Sequence, residues 1–383
     1  MIIGQFVDTY PPCVDGVGRV TLSYCEALTA RGHEAYYIAP DAPHWSEAYD
    51  FPVLLQRSLP IPGEPFRLAI PPFDRHYRHQ LDSIPFDIVH AHSPFSAGEE
   101  ALRVGRRLGV PVVTTFHSKY YQDFLDKTGS HLVASGAVKV ILHFYNRCDA
   151  VWTVNDATAN VLRDYGYRGE IRVMPNGTDP EPLSPEAEQE LRTRLGPETG
   201  APLLLFVGQH SHKKNIRGIL EACALLKRDG TPFRLVTAGD GPDFRELNRL
   251  AESLGLGEQC RFLGFVSDRA LLMALYARAD LLVFPSVYDN APMVLREAAV
   301  MGTPGLVVRG SCAAEGIEDG VNGFICADES PKAIADTIRA ALPRTKAVGQ
   351  EAARTIPIGW DLIIGDVLNN YERLIAAHGQ RQA

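Results

Sequence analysis

Short runs of β-branched and aliphatic residues alternate along this chain with longer stretches in which apolar positions recur every three or four residues. The short runs cover 2–7, 34–39, 87–92, 111–117, 151–155 and 171–174, then 203–208, 233–239, 261–264, 280–285 and 305–308. Helical periodicity follows them, for example over 17–30, 96–108, 215–227 and 243–254. Strands followed in turn by amphipathic helices give the βαβα order of a parallel sheet covered on both faces. The pattern predicts two doubly wound, Rossmann-like α/β domains, 1–178 and 179–357. A polar, proline-bearing stretch at 176–184, rich in turn formers and poor in periodic apolar residues, marks the boundary. A last helix over about 360–375 follows Pro357, and the segment 358–383 is free to pack back on the first domain. Open α/β sheets bind ligands beyond the carboxyl ends of their strands, so the expected site is a cleft faced by both domains.

Composition narrows the functional classes. A chain of 383 residues exceeds what one hydrophobic core usually covers, in keeping with two domains. The formal net charge of −8 argues against a broad footprint on nucleic acid. The seven cysteines are scattered without a Cys-x-x-Cys pair, and no signal peptide is recognisable ahead of the first strand, so the reducing cytoplasm is the expected compartment. No apolar run approaches the roughly 20 residues that span a bilayer, which leaves peripheral contact as the expected route to a membrane. Neither an Asp-x-Asp pair nor a His/Cys/acid cluster with metal-ligand spacing is present, so no metal and no cofactor are expected.

Three places carry candidate chemistry. The run 284–298 feeds an apolar strand through an acidic loop into a helix, setting Asp289 and Glu297 about the helix N-terminus. A helix N-terminus attracts phosphate and carboxylates accept from sugar hydroxyls, so this segment could hold both halves of a nucleotide-sugar. The plainer alternative makes Asp289 an N-cap and Glu297 a surface acid. After the strand ending at Gly208, the loop Gln209-His210-Ser211-His212-Lys213-Lys214 enters a helix at Asn215, where Lys214 can meet a diphosphate and His210, His212 or Lys213 could add charge. In the first domain Gly16 and Gly18 lie between a strand and a helix, where a missing side chain admits a phosphate or sugar or simply makes a tight turn. His117 ends a strand, and His92 stands in a similar place beside His90 and Pro94.

The run 284–298 resembles the signature of the family-4 glycosyltransferases, a Glu, seven residues and a second Glu followed by Ala, with Asp289 where the first Glu is usual. The opening Asp8-Thr9-Tyr10-Pro11-Pro12 with Asp15-Gly16-Val17-Gly18, then His90-Ala91-His92-Ser93-Pro94-Phe95, Thr114-Thr115-Phe116-His117-Ser118, Ala238-Gly239-Asp240-Gly241-Pro242 and Asp319-Gly320-Val321-Asn322-Gly323 follow the same family's order. The resemblance implies the GT-B fold and metal-independent transfer of a hexose from a nucleotide-sugar with retention at the anomeric carbon. It assigns His117, Lys214 and Asp289 to catalysis, with Asp289 on the hexose, His117 near the reaction centre and Glu297 on the ribose hydroxyls. The implied donor site adds Gly16, Gly18, Gly208, Gln209, Gly239, Val266, Asn290, Met293 and Val294, and the implied acceptor residues are Tyr10 and His92. Gln209 departs from the Arg usual after that glycine, whereas Lys214 matches the usual Lys.

The branch most resembled contains diacylglycerol glucosyltransferases and glycolipid mannosyltransferases, which implies UDP-glucose as donor and a glycerolipid acceptor met at the inner membrane face. Arg103, Arg106 and Arg107 on the helix 96–108 could meet anionic headgroups, or Glu99 and Arg103 could form an ordinary i,i+4 pair. A transferase acting on a soluble or lipid-linked glycan, a nucleotide-sugar epimerase of the same fold and an inactive nucleotide-sugar binder stay open as alternatives. A Rossmann dehydrogenase does not, because no Gly-x-Gly-x-x-Gly follows a strand.

Overall fold

The structure, a computed structural model, describes residues 1–9, 16–41, 48–61, 67–70, 74–197 and 199–382. Tyr10, expected at the acceptor, lies outside the described residues, as do Pro11, Pro12 and Asp15 of the opening motif. The chain forms two compact units, Met1–Gly177 with Trp360–Ala383, and Thr178–Gly359.

The first unit begins with β1 (Ile2–Phe6), α1 (Gly16–Ala30), β2 (Glu34–Pro40) and β3 (Val53–Gln56). A hairpin of β4 (Ser58–Pro60) and β5 (Arg67–Ala69) leads to α2 (Arg75–Ser83), β6 (Ile88–Ala91), α3 (Ser96–Leu108) and β7 (Val112–Phe116). The helices α4 (Tyr120–Thr128) and α5 (His131–Tyr145) then precede β8 (Ala150–Thr153), α6 (Asp156–Asp164) and β9 (Ile171–Val173). Seven strands form one sheet in the order β3-β2-β1-β6-β7-β8-β9, parallel throughout. Every residue of β6 and β7 is buried, since helices cover both faces, and this is why those strands read as apolar runs without alternation.

The second unit runs α7 (Pro185–Leu195), β10 (Leu203–Val207), α8 (Ile216–Arg228), β11 (Arg234–Ala238), α9 (Phe244–Ser253), β12 (Cys260–Phe262) and α10 (Arg269–Arg278). It continues with β13 (Leu281–Val283), α11 (Met293–Val300), β14 (Gly305–Val308), β15 (Phe324–Cys326), α12 (Pro331–Ala341) and α13 (Thr345–Thr355). Its six strands are parallel in the order β12-β11-β10-β13-β14-β15. The edge strands β3 and β15 do not stand out in the sequence pattern, because four and three residues are too few to show a period. The final helix α14 (Trp360–Gln382) returns to the first unit, where Ile364, Val367 and Tyr371 are fully buried and Asp361 pairs with Arg31 just past α1. Among the described residues no helix is long and apolar enough to cross a membrane.

In each unit the strand order reverses beside the first strand, between β1 and β6 and between β10 and β13. At such a reversal neighbouring crossovers leave in opposite directions, and a crevice opens beyond the strand ends. Gly208, Gln209, Lys214, Asp289 and Asn290 follow β10 and β13, and Gly16, Gly18 and His92 follow β1 and β6, whereas Gly239, Val266 and His117 follow the neighbouring strands β11, β12 and β7.

Candidate active site

In the second unit, β10 gives way to Gly208, whose φ of 148° is in a region that side-chain-bearing residues rarely adopt. Gly239, after β11, has φ 139°, and a Cβ there would collide with the Gly208 carbonyl, as one on Gly241 would with the backbone of His210. The glycines thus let the two loops lie against each other, laced by Gly208 N–H to Ala238 O at 3.0 Å, His210 N–H to Asp240 O at 2.9 Å and Asp243 N–H to His210 O at 3.0 Å. His210 points inward, fully buried, with Nε2 3.0 Å from Thr237 Oγ1. Burial lowers its pKa to about 4, so at neutral pH it is uncharged and does not supply the positive charge the sequence allowed it.

The chain then makes a single 3-10 turn, His212–Lys214, and Asn215 takes a left-handed φ of 54° while its side-chain oxygen caps α8 at Gly218 N–H, 3.2 Å away. Here the Lys214 ammonium pairs with the carboxylate of Asp289 from the loop after β13. Both side chains are mostly covered, 17% and 19% exposed, and the second oxygen of Asp289, Oδ2, is buried with no hydrogen-bond partner among the described residues. Asp289 is not an N-cap: α11 starts behind Pro292, without a side-chain cap, because the Asp289 side chain is turned to Lys214 instead. Lys213 lies over the ring of Tyr288 at 4.2 Å, a cation–π contact, and Gln209 is exposed. Asn290 is buried beside Asp289, and Met293 and Val294 open α11.

Glu297, one turn into α11, is no surface acid. Its side chain is 8% exposed and takes Arg269 Nη1 at 2.5 Å and the Tyr276 hydroxyl at 2.9 Å, while Arg269 also bonds Glu181 at 2.8 Å. Burial alone would favour an uncharged Arg269, but the two carboxylates outweigh it and its pKa rises. Arg269, Tyr276 and Glu181 were not marked by the sequence reading, since all three come from outside the signature run. Val266 is half-buried against the unit's core, two residues before Asp268, the N-cap of α10.

In the first unit, Asp8 follows β1, where its carboxylate accepts from the hydroxyls of Ser93 and Ser96 and from Ala97 N–H at 3.0 Å. It caps α3 from a distance, since Phe95 at the helix start offers no side-chain cap, and burial raises its pKa against the pull of those bonds. His92, after β6, and His117, after β7, meet at 3.2 Å between His92 Nδ1 and His117 Nε2. His92 is fully buried, and its other ring nitrogen lies 2.8 Å from Gln5 Oε1. Burial lowers the His117 pKa to about 4 and holds His90 and His92 well below the usual imidazole value. Gly16 opens α1 with open space where a Cβ would be, and Gly18 is buried in the first turn.

The arginines of α3 are largely neutralised. Arg103 bonds Glu100 at 2.6 Å and Asp82 at 2.9 Å, and Arg107 bonds Asp82 at 3.2 Å. The expected Glu99–Arg103 pair does not form, because Glu99 takes Arg147 at 2.7 Å across from α3. Among the described residues no group of three His, Cys, Asp or Glu side chains is arranged to hold a metal ion.

Comparison with known proteins agrees with this architecture. The family Glycosyltransferase Family 4 matches residues 14–182, and Glycosyl transferases group 1 matches residues 187–354. The alpha-monoglucosyldiacylglycerol synthase of Streptococcus pneumoniae is 29% identical over 325 residues, 79% of this chain and 70% of that protein. The synthase of the same name from Acholeplasma laidlawii is 26% identical over 343 residues, 85% of this chain and 84% of its own. A GDP-mannose-dependent alpha-mannosyltransferase of Corynebacterium glutamicum is 24% identical over 333 residues, 85% of this chain and 76% of its own. The solved structure of sucrose-phosphate synthase from Thermosynechococcus elongatus superposes with a TM-score of 0.82 at 18% identity, covering 98% of this chain and 100% of that one. An Anabaena protein in complex with UDP-glucose gives 0.77 at 19%, covering 97% and 100%. With transferase families matching both halves and two doubly wound units of the GT-B kind beneath them, the chain belongs to glycosyltransferase family 4 and is a hexosyltransferase.

Proposed function

We propose that this enzyme moves glucose from UDP-glucose to the hydroxyl of a glycerolipid, with retention at the anomeric carbon and without a metal ion. The observation that carries the reading is the Lys214–Asp289 pair beside the strand reversal of the second unit. In this reading the diphosphate, a stronger and more highly charged acceptor, takes Lys214, and Asp289 turns its carboxylate, including the unpartnered Oδ2, to hydroxyls of the hexose. Leaving-group charge then falls on Lys214 and on the N-terminus of α11, where Met293 and Val294 begin the helix. Glu297, paired with Arg269, accepts the ribose diol. His117 serves the hexose near the reaction centre, and the departing phosphate assists in deprotonating the acceptor.

The donor and acceptor rest on the relatives. Two are named alpha-monoglucosyldiacylglycerol synthases, which supports glucose, a glycerolipid and an α-linked product together. A GDP-mannose-dependent relative supports mannosyl transfer as the second reading. A reducing cytoplasm and a peripheral contact with the inner membrane face complete the proposal. The test supplies pure protein with UDP-glucose or GDP-mannose and with diacylglycerol in mixed micelles or soluble sugars. An α-glucosyl lipid formed from UDP-glucose is the expected product. Preference for GDP-mannose overturns the donor, a soluble product alone overturns the lipid, and a β-linkage overturns retention.

A further inference from the structure

The hairpin β4–β5 inverts the usual arrangement of a small antiparallel sheet. Its register pairs Ser58 with Ala69, Leu59 with Leu68 and Pro60 with Arg67, and Ile70 N–H to Arg57 O at 2.9 Å carries the ladder one residue further. Opposed residues point to the same side and successive ones to opposite sides. Ser58, Pro60, Arg67 and Ala69 therefore share one face, and Arg57, Leu59, Ile61, Leu68 and Ile70 share the other. The first face is turned to the protein: Ser58 and Ala69 are buried, and Arg67 Nε donates to Ser58 Oγ at 2.7 Å. The second is turned to water, with Leu59 and Leu68 each 53% exposed and Ile61 36%. A sheet packed on one side normally shows polar residues on the other. This one shows a cluster of aliphatic side chains with an exposed arginine at its end.

The charges around that face are sorted by sign. Asp41 is engaged on the inner side by Ser58 and Arg67. Asp74 is buried, accepting from Arg57 N–H at 3.0 Å and, as the N-cap of α2, from Tyr77 N–H at 3.1 Å. It is the one carboxylate among the described residues from 57 to 79. Outside stand Arg57 and, on the opening turns of α2, Arg75, His76 and His79, all exposed. On α3, by contrast, Arg103 and Arg107 are taken by Glu100 and Asp82. The hairpin also has a telling position. Asp41, just past β2, accepts from Ser58 Oγ at its backbone oxygen, 3.0 Å away, and donates its N–H to Gln56 O at the end of β3, 2.7 Å away. The hairpin thus stands on the carboxyl ends of β2 and β3. His92 follows β6 on the same rim, two strands from β2 and so about 10 Å across a sheet spaced at ~4.8 Å.

We infer that the outward face of the β4–β5 hairpin, Leu59, Ile61 and Leu68 with Arg57 and Arg75 beside them, is the surface that lies on a bilayer of anionic glycerolipid. The inference rests on the reading that gives this enzyme a glycerolipid acceptor, and it extends that reading by naming the side of the first unit that meets the acceptor's membrane. The aliphatic side chains enter the boundary between headgroups and acyl chains, and the arginines stay level with the phosphates. Cations without an exposed acid among them match a surface of uniform negative charge, which a bilayer offers and a protein partner of mixed charge does not. Contact at this rim holds the membrane on the side of the sheet where His92 and His117 end their strands.

The experiment is co-sedimentation of the full chain with vesicles of phosphatidylcholine, alone or mixed with phosphatidylglycerol. Wild type should bind the mixed vesicles more tightly and release them as salt rises. Leu59→Ser combined with Leu68→Ser should weaken that binding by about tenfold or more, because two apolar side chains are withdrawn from the interface. Arg57→Gln combined with Arg75→Gln should cut the preference for phosphatidylglycerol by about tenfold, which gives a second reading should the leucine pair fold poorly. Both double variants should turn over a water-soluble short-chain diacylglycerol at the wild-type rate and lose activity on long-chain diacylglycerol held in vesicles. Undiminished vesicle binding by both double variants would overturn the inference and leave the glycerolipid acceptor standing. Wild type that leaves both kinds of vesicle unbound overturns it too, and overturns the acceptor as well where a soluble sugar alone is glycosylated. A lipid-free dimer that the leucine pair dissociates, read by light scattering, would make the face an interface between copies and overturn the bilayer.

Discussion

The two strand reversals solve the same topological problem with opposite electrostatics. In the second unit charged side chains are matched in pairs, Lys214 beyond β10 with Asp289 beyond β13, and Arg269 of α10 with Glu297 and Glu181. In the first unit His92 and His117, beyond β6 and β7, are neutral imidazoles in a buried array with Gln5 of β1, His90 of β6 and Tyr371 of α14, and Asp8 is occupied in holding α3. Paired charges can be re-partnered by a more highly charged ligand, whereas buried neutral groups keep the partners they fold against.

The largest effect should come from breaking the charged side. Lys214→Ala removes the cation from the diphosphate and leaves Asp289 without its counter-ion. It should lower kcat/KM by about ten- to a hundredfold, roughly 1.5–3 kcal/mol for hydrogen bonds to a charged group. Unchanged turnover and unchanged UDP affinity by calorimetry would take Lys214 out of the donor site. Next is Arg269→Met, which strands Glu297, 8% exposed, with only the Tyr276 hydroxyl. Stability should fall by about 1–3 kcal/mol, less than the ~3–5 of a fully buried pair because Arg269 is partly exposed. Denaturant melts read the loss, and nucleotide affinity should fall with it.

Acid should sharpen the comparison in the other direction. The pKa of His117 is lowered in the folded protein to about 4, and those of His90 and His92 are lowered as well, from an ordinary value of 6.5. A depressed folded pKa means that the unfolded chain binds the proton first. The stability is therefore whole above pH 6.5 and drains away as pH falls toward about 4, each histidine adding up to ~1.4 kcal/mol per pH unit. The second unit has one such group described, His210, and so should be the less sensitive. Hydrogen exchange followed between pH 7 and 5 should show the first unit opening sooner, and equal loss of protection in both would contradict the contrast. The smallest effect is expected from chelation. Activity should persist in EDTA, and a loss that magnesium or manganese restores would contradict the assignment of leaving-group charge to Lys214 and the helix terminus.

Several of these features were open to inspection in the sequence. The parallel sheets could be read because a strand buried on both faces is an unbroken apolar run, as in Leu203-Leu204-Leu205-Phe206-Val207. Lys214 and Asp289 drew notice because each stands at a strand-to-helix turn, and Glu297 because the helix that Asp289's loop enters bears it. The company they keep could not be read. Arg269 reaches Glu297 from α10, and Arg147 takes Glu99 from the end of α5, and neither pairing has a sequence spacing to betray it. His210 looked like a loop cation and is a buried neutral ring, because Gly239 and Gly241 allow a second loop to close over it.

The sequence by itself determined the periodicities, hence the βαβα order and the turns at which chemistry could be displayed, since period and turn propensity are local properties of the chain. Tertiary structure alone decided the ionisation and the partners of what those turns display. Tyr371 and Gln5 lie at opposite ends of the chain, and nothing in either segment marks it as a partner of His92 until α14 folds back onto β1 and β6. Burial and hydrogen bonding are relations between segments, so they come into being only when the segments meet.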